Sequence, residues 1–169
     1  MSNSYTAIIE QAISLLDELS DAEYQQIIKP HFSSSIGVHM RHIIDHFLSL
    51  KNGALSKTTH IDYNIRNRHN EVEQYPKMAV QVLNEIKQWI GTLTSDNYGQ
   101  NVLVTTEIDI HQSKSASCAS TLERELVFVC SHAIHHFALI RIMCATLNKQ
   151  IPEYFGYAPA TITHLNRSA

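Results

Sequence analysis

The chain has 169 residues, of which 44% are hydrophobic and 17% charged, and its formal net charge is -3. This size and composition are typical of a single globular domain over residues 1–169 and exclude a disordered chain. The negative charge argues against nucleic acid as the main partner, because phosphate binding needs a basic surface.

The first third of the chain predicts two helices. Apolar residues recur at helical spacing over 4–19, with Ser4 as the N-cap. A second helix is expected over 34–53, where Asn52-Gly53 is a good C-terminal signal.

The middle of the chain predicts a connection, a helix and a hairpin. Residues 54–70 are polar and irregular, and a third helix is expected over 71–94, with Pro76 in its first turns or resetting its start. The β-prone run 101–108 is expected to pair with 115–118 as a small hairpin.

The last third predicts a long fourth helix over 120–147, with Thr121 at its start. This helix is apolar nearly all round, so we expect it to be central. A short helix is expected over 160–166. The four long helices together predict an all-α protein, a four-helix bundle with a small β-hairpin between the third and fourth helices.

The cysteines and the N-terminus favour a cytoplasmic protein. Cys118, Cys130 and Cys144 are odd in number, and the last two lie in apolar helical sequence, so we expect buried thiols without disulfides. The N-terminus has no signal-peptide pattern. No segment is expected to span a bilayer, so no membrane partner is predicted.

Two clusters of histidines are the most informative feature of the sequence. They comprise His39, His42 and His46 in the second helix and His132, His135 and His136 in the fourth. Imidazole is a common metal ligand, and it titrates near neutral pH. Two packed helices that carry such clusters predict a three-histidine metal site.

In the fourth helix, the spacing selects two of the three histidines. His132 and His136 are four residues apart and therefore share a face. His135 points about 100° away from His136, so we leave it out of the site.

In the second helix, the spacing does not select one ligand. His39, His42 and His46 all fall within a narrow sector, and His42 lies between the other two. One ligand from this helix and two from the fourth would leave a coordination position for water, as in catalytic zinc sites.

A plain structural interpretation competes with the metal site, since a buried histidine can simply hydrogen-bond a carbonyl or a carboxylate. However, unpaired polar groups are costly in apolar helices, and six histidines there need an explanation.

Glu125 is the acidic residue closest in phase to the histidines, seven residues before His132. It could orient an imidazole, or it could pair with Arg41, Arg66 or Arg68 to hold the helices together. The ion pair is the favoured interpretation.

The residues around the histidines resemble the DinB/YfiT-like family of metalloenzymes. The resemblance rests on Ser35-Ile36-Gly37, Arg41-His42-Ile43, His132–His136, Tyr63–Arg68, Arg124-Glu125-Leu126 and Phe155–Pro159. It implies a four-helix bundle that binds a divalent metal through His42, His132 and His136. It also implies a homodimer.

The same resemblance implies a function. Relatives include transferases and isomerases that use a divalent metal, zinc or nickel here, with a low-molecular-weight thiol. We therefore expect a metal-dependent thiol transferase or related small-molecule enzyme. The alternative is a non-catalytic DinB-like bundle that binds a metal or a ligand. No catalytic residue is assigned, since His46, His39 or Glu125 could each serve as general base.

The 54–70 segment is expected to line a cleft beside His42. Its Arg66 and Arg68 could receive an anionic substrate or the carboxylate of a thiol cofactor. Equally, they could pair with Glu125 or Glu73 and pin the segment to the helices.

Overall fold

In the computed structural model, which describes residues 2–168, the protein is mostly helical (59%) with a small three-stranded sheet. The helices are α1 (Ser2–Leu16), α2 (Asp21–Gln25), α3 (Ile36–Leu55), α4 (Glu71–Gln74), α5 (Pro76–Gly91), α6 (Ser95–Tyr98), α7 (Leu122–Thr146) and α8 (Pro159–Ser168). The strands are β1 (His60–Asp62), β2 (Asn101–Glu107) and β3 (Ser115–Thr121).

The long helices α1, α3, α5 and α7 correspond to the four that the sequence predicts, and the caps of two of them follow ordinary chemistry. The Ser35 hydroxyl accepts a hydrogen bond from the Val38 amide at 3.2 Å and begins α3. The Thr121 hydroxyl likewise accepts from the Arg124 amide and begins α7.

The predicted end of the second helix at Asn52-Gly53 is wrong, because α3 continues to Leu55. Gly53 serves close packing instead of a turn. A Cβ at Gly53 would lie 2.5 Å from Ile61 Cγ1 and 2.7 Å from the His60 carbonyl oxygen. The missing side chain therefore lets β1 approach α3.

The predicted helix over 71–94 is divided at Tyr75, which has an extended backbone (φ -126°, ψ 118°). Pro76 explains the division, because a proline disfavours helical conformation in the residue before it and cannot donate a helical hydrogen bond. The short helices α2 and α6 were not predicted, although α2 carries a capping box in which Ser20 and Glu23 bond each other's backbone amides.

The sheet contains the predicted hairpin and one additional strand. β2 and β3 pair antiparallel, and β1 joins β2 in parallel, with His60 opposite Leu103. β1 lies in the segment predicted to be irregular. With only three residues it has no periodicity to read, but Ile61 is fully buried.

The long helices pack so that α1 contacts α5 and α7, while α3 contacts α5 and α7. Their buried faces contribute to a single hydrophobic core that includes Leu15, Ile44, Leu83, Ile140 and Phe155. This arrangement places α3 beside α7. The assignment of the whole chain to one domain stays a prediction.

The expectation that no segment could span a bilayer needs a correction, because α7 is long and apolar enough by composition, with a mean hydropathy of 1.6 over its best window. A central helix of a compact fold passes the same test. α7 buries one face against α1 and α3, and that face includes the carboxylate of Glu125. We therefore interpret α7 as a core helix.

Replacing Gly37 by alanine is expected to lower the free energy of unfolding by about 1–3 kcal/mol through overpacking. The added Cβ would lie 2.1 Å from the Glu73 carbonyl oxygen and 2.9 Å from Tyr24 Cε1. Gly91→Ala is the matched control, because a Cβ at Gly91 meets nothing within 4 Å. Urea unfolding of the two variants measures the difference, and equal stabilities would contradict the packing argument.

Candidate metal centre

The contact between α3 and α7 brings the two histidine clusters together. The ring centre of His42 lies 5.1 Å from that of His132 and 4.8 Å from that of His136. The rings of His132 and His136 are 4.7 Å apart. The three residues predicted as ligands therefore share one location. We call His39, His42, His46, His132 and His136 the histidine cluster.

One nitrogen pair in the cluster already has the spacing that a single ion needs. His42 Nε2 and His132 Nε2 are 3.1 Å apart. Two ligands at about 2.0–2.1 Å from a tetrahedral zinc ion would be about 3.3–3.4 Å apart. A small outward movement of the rings would thus seat an ion between them.

His46 supplies a third nitrogen near this pair. One nitrogen from each of His42, His46 and His132 lies within 4.8 Å of the other two. His46 Nδ1 lies 3.0 Å from the His42 carbonyl oxygen and must donate to it, so its Nε2 keeps a lone pair. His46 therefore competes with His136 as the third ligand, and the predicted set stays a prediction.

His136 has a second partner in His39. Their Nδ1 atoms are 3.0 Å apart, and the other nitrogen of His39 lies 3.0 Å from the Ser34 hydroxyl. Ser34 is a contact that the sequence reasoning missed, although it stands five residues before His39, next to the helix cap. His135 is exposed, with its ring 5.3 Å from that of His136.

Burial keeps the histidine cluster neutral. The pKa of His42 is lowered to about 2, that of His136 to about 3 and that of His46 to about 4. In each case the largest cause is burial, which disfavours the charged imidazolium, and the second is repulsion from neighbouring cationic groups. The same cause lowers the pKa of His132 and His39. All five rings can therefore present lone pairs at neutral pH, which is the state that binds metals.

Aromatic rings hold His46 in place. Its ring stacks on that of Tyr63, with a centre-to-centre distance of 5.2 Å and an interplanar angle of 15°, and on that of His132, at 4.3 Å and 27°. His132 in turn stacks on Phe128, one helical turn before it, at 5.9 Å. The i, i+4 spacing of Phe128 and His132 was a readable signal for this contact.

Glu125 acts on the cluster through Tyr63 and not directly. Its carboxylate accepts hydrogen bonds from the Tyr63 hydroxyl at 3.0 Å and the Ser120 hydroxyl at 2.6 Å. Its ion pair is with Arg124, at 2.7 Å. The predicted pairing with Arg41, Arg66 or Arg68 is therefore wrong. Burial, with the Glu125 charge as the second cause, raises the pKa of Tyr63.

A buried ion-pair network fixes the segment before α4. Arg41 contacts Asp45 at 3.0 Å and Glu73 at 3.1 Å. Asp45 also accepts hydrogen bonds from the Asn67 side chain at 2.8 Å and the Asn67 amide at 3.3 Å. The sequence analysis did not anticipate Asn67. This network ties the segment to α3 next to His46.

The proposed pairing of Arg66 or Arg68 with Glu125 or Glu73 is wrong, since other arginines occupy both carboxylates. Arg66 instead donates from Nη1 to the carbonyl oxygens of Tyr63 and Ile65. Arg68 is exposed.

The cavities found among residues 2–168 include two that lie away from the histidine cluster. One of about 340 Å³ lies beside the end of α1 and the start of α5, and one of about 310 Å³ lies between α1, α7 and the start of α8. The cleft expected beside His42 stays a prediction.

Comparison with solved structures identifies the fold of the chain. The crystal structure of a DinB-like protein from Bacillus cereus superposes on this chain with a TM-score of 0.62 and 15% sequence identity. The match covers 89% of this chain and 92% of the Bacillus cereus chain. The chain has the DinB-like fold. This confirms the DinB-like fold that the sequence resemblance implies, and the four-helix bundle stays a prediction.

Sequence comparison gives less information about the family of the chain than the structural match does. No family model matches the chain. FK506-binding protein 5 of Rhizopus delemar is 28% identical over 109 residues, which are 64% of this chain. The match spans only 28% of that fungal protein, so the chain covers about a quarter of it.

The lowered histidine pKa values predict that the metal-free protein loses stability as the pH falls from 7 to 5. Imidazoles in the unfolded chain bind protons with a pKa of ~6.5, whereas the buried rings stay neutral. The unfolded state therefore binds more protons in this window, and the free energy of unfolding falls with the pH. Urea unfolding in the presence of a metal chelator, repeated at several pH values between 7 and 5, measures how steeply the free energy of unfolding depends on pH.

The control for this slope removes one of the titrating rings. In His46→Leu the unfolding free energy should depend less steeply on pH between 7 and 5, because one of the lowered pKa values is gone. An unchanged slope would mean that the histidine cluster is not the origin of the pH dependence.

Proposed function

We propose that the protein binds a divalent transition metal through three histidines, on a four-helix bundle formed by α1, α3, α5 and α7. The observation that carries this proposal is the approach of His42, His46 and His132 at the α3–α7 contact, with one nitrogen of each within 4.8 Å of the others. Imidazole ligands suit zinc and nickel, which are the proposed ions.

The proposed ligand set is His42, His132 and His136, with His46 as the competitor for the third position. His132 and His136 lie one turn apart on α7, and their rings are 4.7 Å apart. His46 is more buried than His136 but already uses Nδ1 for the His42 carbonyl. Both sets place one ion between α3 and α7.

We further propose that the site serves a metal-dependent thiol transferase or related small-molecule enzyme. Three protein nitrogens leave a fourth position for water or for the sulfur of a small thiol. When bound, the ion would favour the thiolate, which is the reactive form. Support for this step comes from the DinB-like fold and the neutral, half-buried imidazoles.

The alternative is a non-catalytic metal- or ligand-binding protein, and one observation favours it. Two carboxylates near the histidine cluster, those of Asp45 and Glu125, already have several partners. Asp45 is bound to Arg41 and Asn67, and Glu125 is bound to Tyr63 and Arg124. Neither carboxylate is placed as a free general base.

The cellular setting is also a proposal. We place the protein in the cytoplasm as a homodimer, with no nucleic-acid or membrane partner. Support for self-association comes from the outer side of α7, where Val127 is 51% and Ile142 is 55% exposed. Analytical ultracentrifugation tests the dimer.

Alanine variants of the histidines are expected to separate ligands from neighbours. His42→Ala and His132→Ala should each weaken zinc binding at least about 100-fold. Each variant removes a direct ligand, and the loss of a residue that only hydrogen-bonds a ligand already costs about 10- to 100-fold. Comparison of His136→Ala with His46→Ala identifies the third ligand. Isothermal titration with zinc measures all four. His135→Ala is the exposed control and should change the affinity little.

Two results would end the metal proposal. The first is that the wild-type protein, purified without a histidine tag, takes up no zinc or nickel on dialysis, where we expect about one ion per chain. The second is that His135→Ala weakens binding as much as His132→Ala, since the helical phase would then be wrong.

A kinetic screen separates the enzyme from the binding protein. The zinc- or nickel-loaded protein is mixed with a panel of low-molecular-weight thiols and a chromogenic electrophile. The enzyme proposal expects a rate above background that His132→Ala abolishes, because that variant loses a ligand. A rate that His132→Ala leaves unchanged would point to the non-catalytic alternative.

A further inference from the structure

His39 is the member of the histidine cluster to which neither of the two ligand sets gives a role. It lies in the first turn of α3 and is half-buried. Its Nδ1 lies 3.0 Å from Nδ1 of His136, and its other ring nitrogen lies 3.0 Å from the Ser34 hydroxyl. The ring centres of His39 and His136 are 5.2 Å apart and the planes are inclined at 49°. The two rings therefore meet through their nitrogens and not by stacking.

The ring planes favour His136 over His46 as the third ligand beside His42 and His132. The lone pair of an imidazole nitrogen lies in the plane of the ring, so a bound ion lies in the ring planes of all its ligands. The rings of His42, His132 and His136 are inclined to one another at 71°, 77° and 73°, and three planes inclined so steeply meet at one point. The rings of His46 and His132 are stacked at 27°, so their planes share no point close to both rings.

The contact with His39 determines which nitrogen His136 offers to an ion. Nδ1 of His136 faces Nδ1 of His39 at 3.0 Å, which leaves Nε2 for coordination. A histidine that binds a metal donates a hydrogen bond from its other ring nitrogen, usually to a carboxylate, a carbonyl oxygen or water. The carboxylates of Asp45 and Glu125 are bound to other residues. Nδ1 of His39 is the acceptor that the structure places at His136.

We propose that His39 is a positioning residue of the metal site, which accepts a hydrogen bond from Nδ1 of His136 and so directs Nε2 of His136 toward the ion. The inference rests on the proposed metal site and assigns the residue that orients its third ligand. Such a partner fixes the ring and makes the coordinating nitrogen more basic, and its loss costs about 10- to 100-fold in metal affinity.

The test uses two amide substitutions that each keep a different part of the His39 contact. In His39→Asn, the amide oxygen can occupy the position of Nδ1 and still accept from His136. Glutamine is one carbon longer, so in His39→Gln the amide can occupy the position of Nε2. That variant keeps the reach to Ser34 but has no acceptor at the position of Nδ1.

The two variants should differ in zinc affinity. His39→Asn is expected to bind zinc within about threefold of the wild-type protein, and His39→Gln about 10- to 100-fold more weakly. Isothermal titration measures both. His135→Gln is the matched control, because His135 is exposed, and it should keep the wild-type affinity. Equal affinities of His39→Asn and His39→Gln, or an equal loss in His135→Gln, would overturn the proposal.

Urea unfolding of the metal-free variants separates positioning from a merely structural role. Asparagine is a poorer helix former than glutamine, and residue 39 lies within α3, so stability alone should not favour His39→Asn. The proposal therefore expects the order of zinc affinities to oppose or ignore the order of the unfolding free energies. Affinities that follow the unfolding free energies would mean that His39 acts through stability, and the proposal would fail.

Nitrogen-15 NMR of the zinc-loaded wild-type protein reads the contact directly. The His136 ring should show its hydrogen on Nδ1 and zinc on Nε2, whereas zinc on Nδ1 would contradict the proposal. If His39→Gln does not fold, His39→Leu replaces it, since leucine also lacks an acceptor, and an unchanged zinc affinity would again contradict it.

The same measurements distinguish failure of this inference from failure of the metal site. If the wild-type protein takes up no zinc, the two fail together. If it takes up zinc and neither His136→Ala nor His39→Gln weakens binding, the metal site stands with His46 as its third ligand. That result overturns the positioning role of His39 alone.

Discussion

The packing of α3 against α7 is the constraint on which the rest of the site depends. Each helix alone carries histidines along a stripe, and neither stripe could surround an ion. Packed together, the helices bring His42 Nε2 within 3.1 Å of His132 Nε2 across the contact. The same contact excludes enough water to keep the rings neutral. Geometry and protonation state therefore have one common origin.

A second layer of polar contacts extends this order to the chain outside the helices. The pair of Arg41 and Asp45 lies on α3 itself, and Asp45 also holds Asn67. Glu73 adds a link from α4 to Arg41. Buried ion pairs of this kind contribute little net stability but are costly to break on one side. Their effect here is to fix the loop that carries Tyr63 and Arg66 next to the histidines.

Features set by local periodicity could be predicted from the sequence. The spacing of His132 and His136 placed both on one face of a helix that begins at Thr121, and the structure has that helix and that cap. The ambiguity among His39, His42 and His46 was also real, because each of the three rings contacts a histidine of α7. Their spacing gives no reason to prefer one.

The features that could not be predicted depend on partners distant in sequence. β1 exists because Ile61 is buried beside Gly53 and pairs with β2 some forty residues later, and three residues carry no pattern of their own. The partner of Glu125 could not be predicted from helical phase, since Arg124 is its neighbour in the chain and does not share its helix face. The Asp45–Asn67 contact likewise joins a helix to a loop without periodicity.

The chain of contacts from Ser34 through His39 to His136 has a consequence for tautomers. A neutral imidazole donates from one nitrogen and accepts at the other, so the facing Nδ1 atoms of His39 and His136 cannot both carry hydrogen. Whenever the Nε2 lone pair of His136 is taken by a ligand, its hydrogen sits on Nδ1. His39 must then accept at Nδ1 and donate from Nε2 to the Ser34 oxygen. The serine hydroxyl can donate or accept, so either hydrogen-bond direction along this chain of contacts is compatible with neutral His39 and His136.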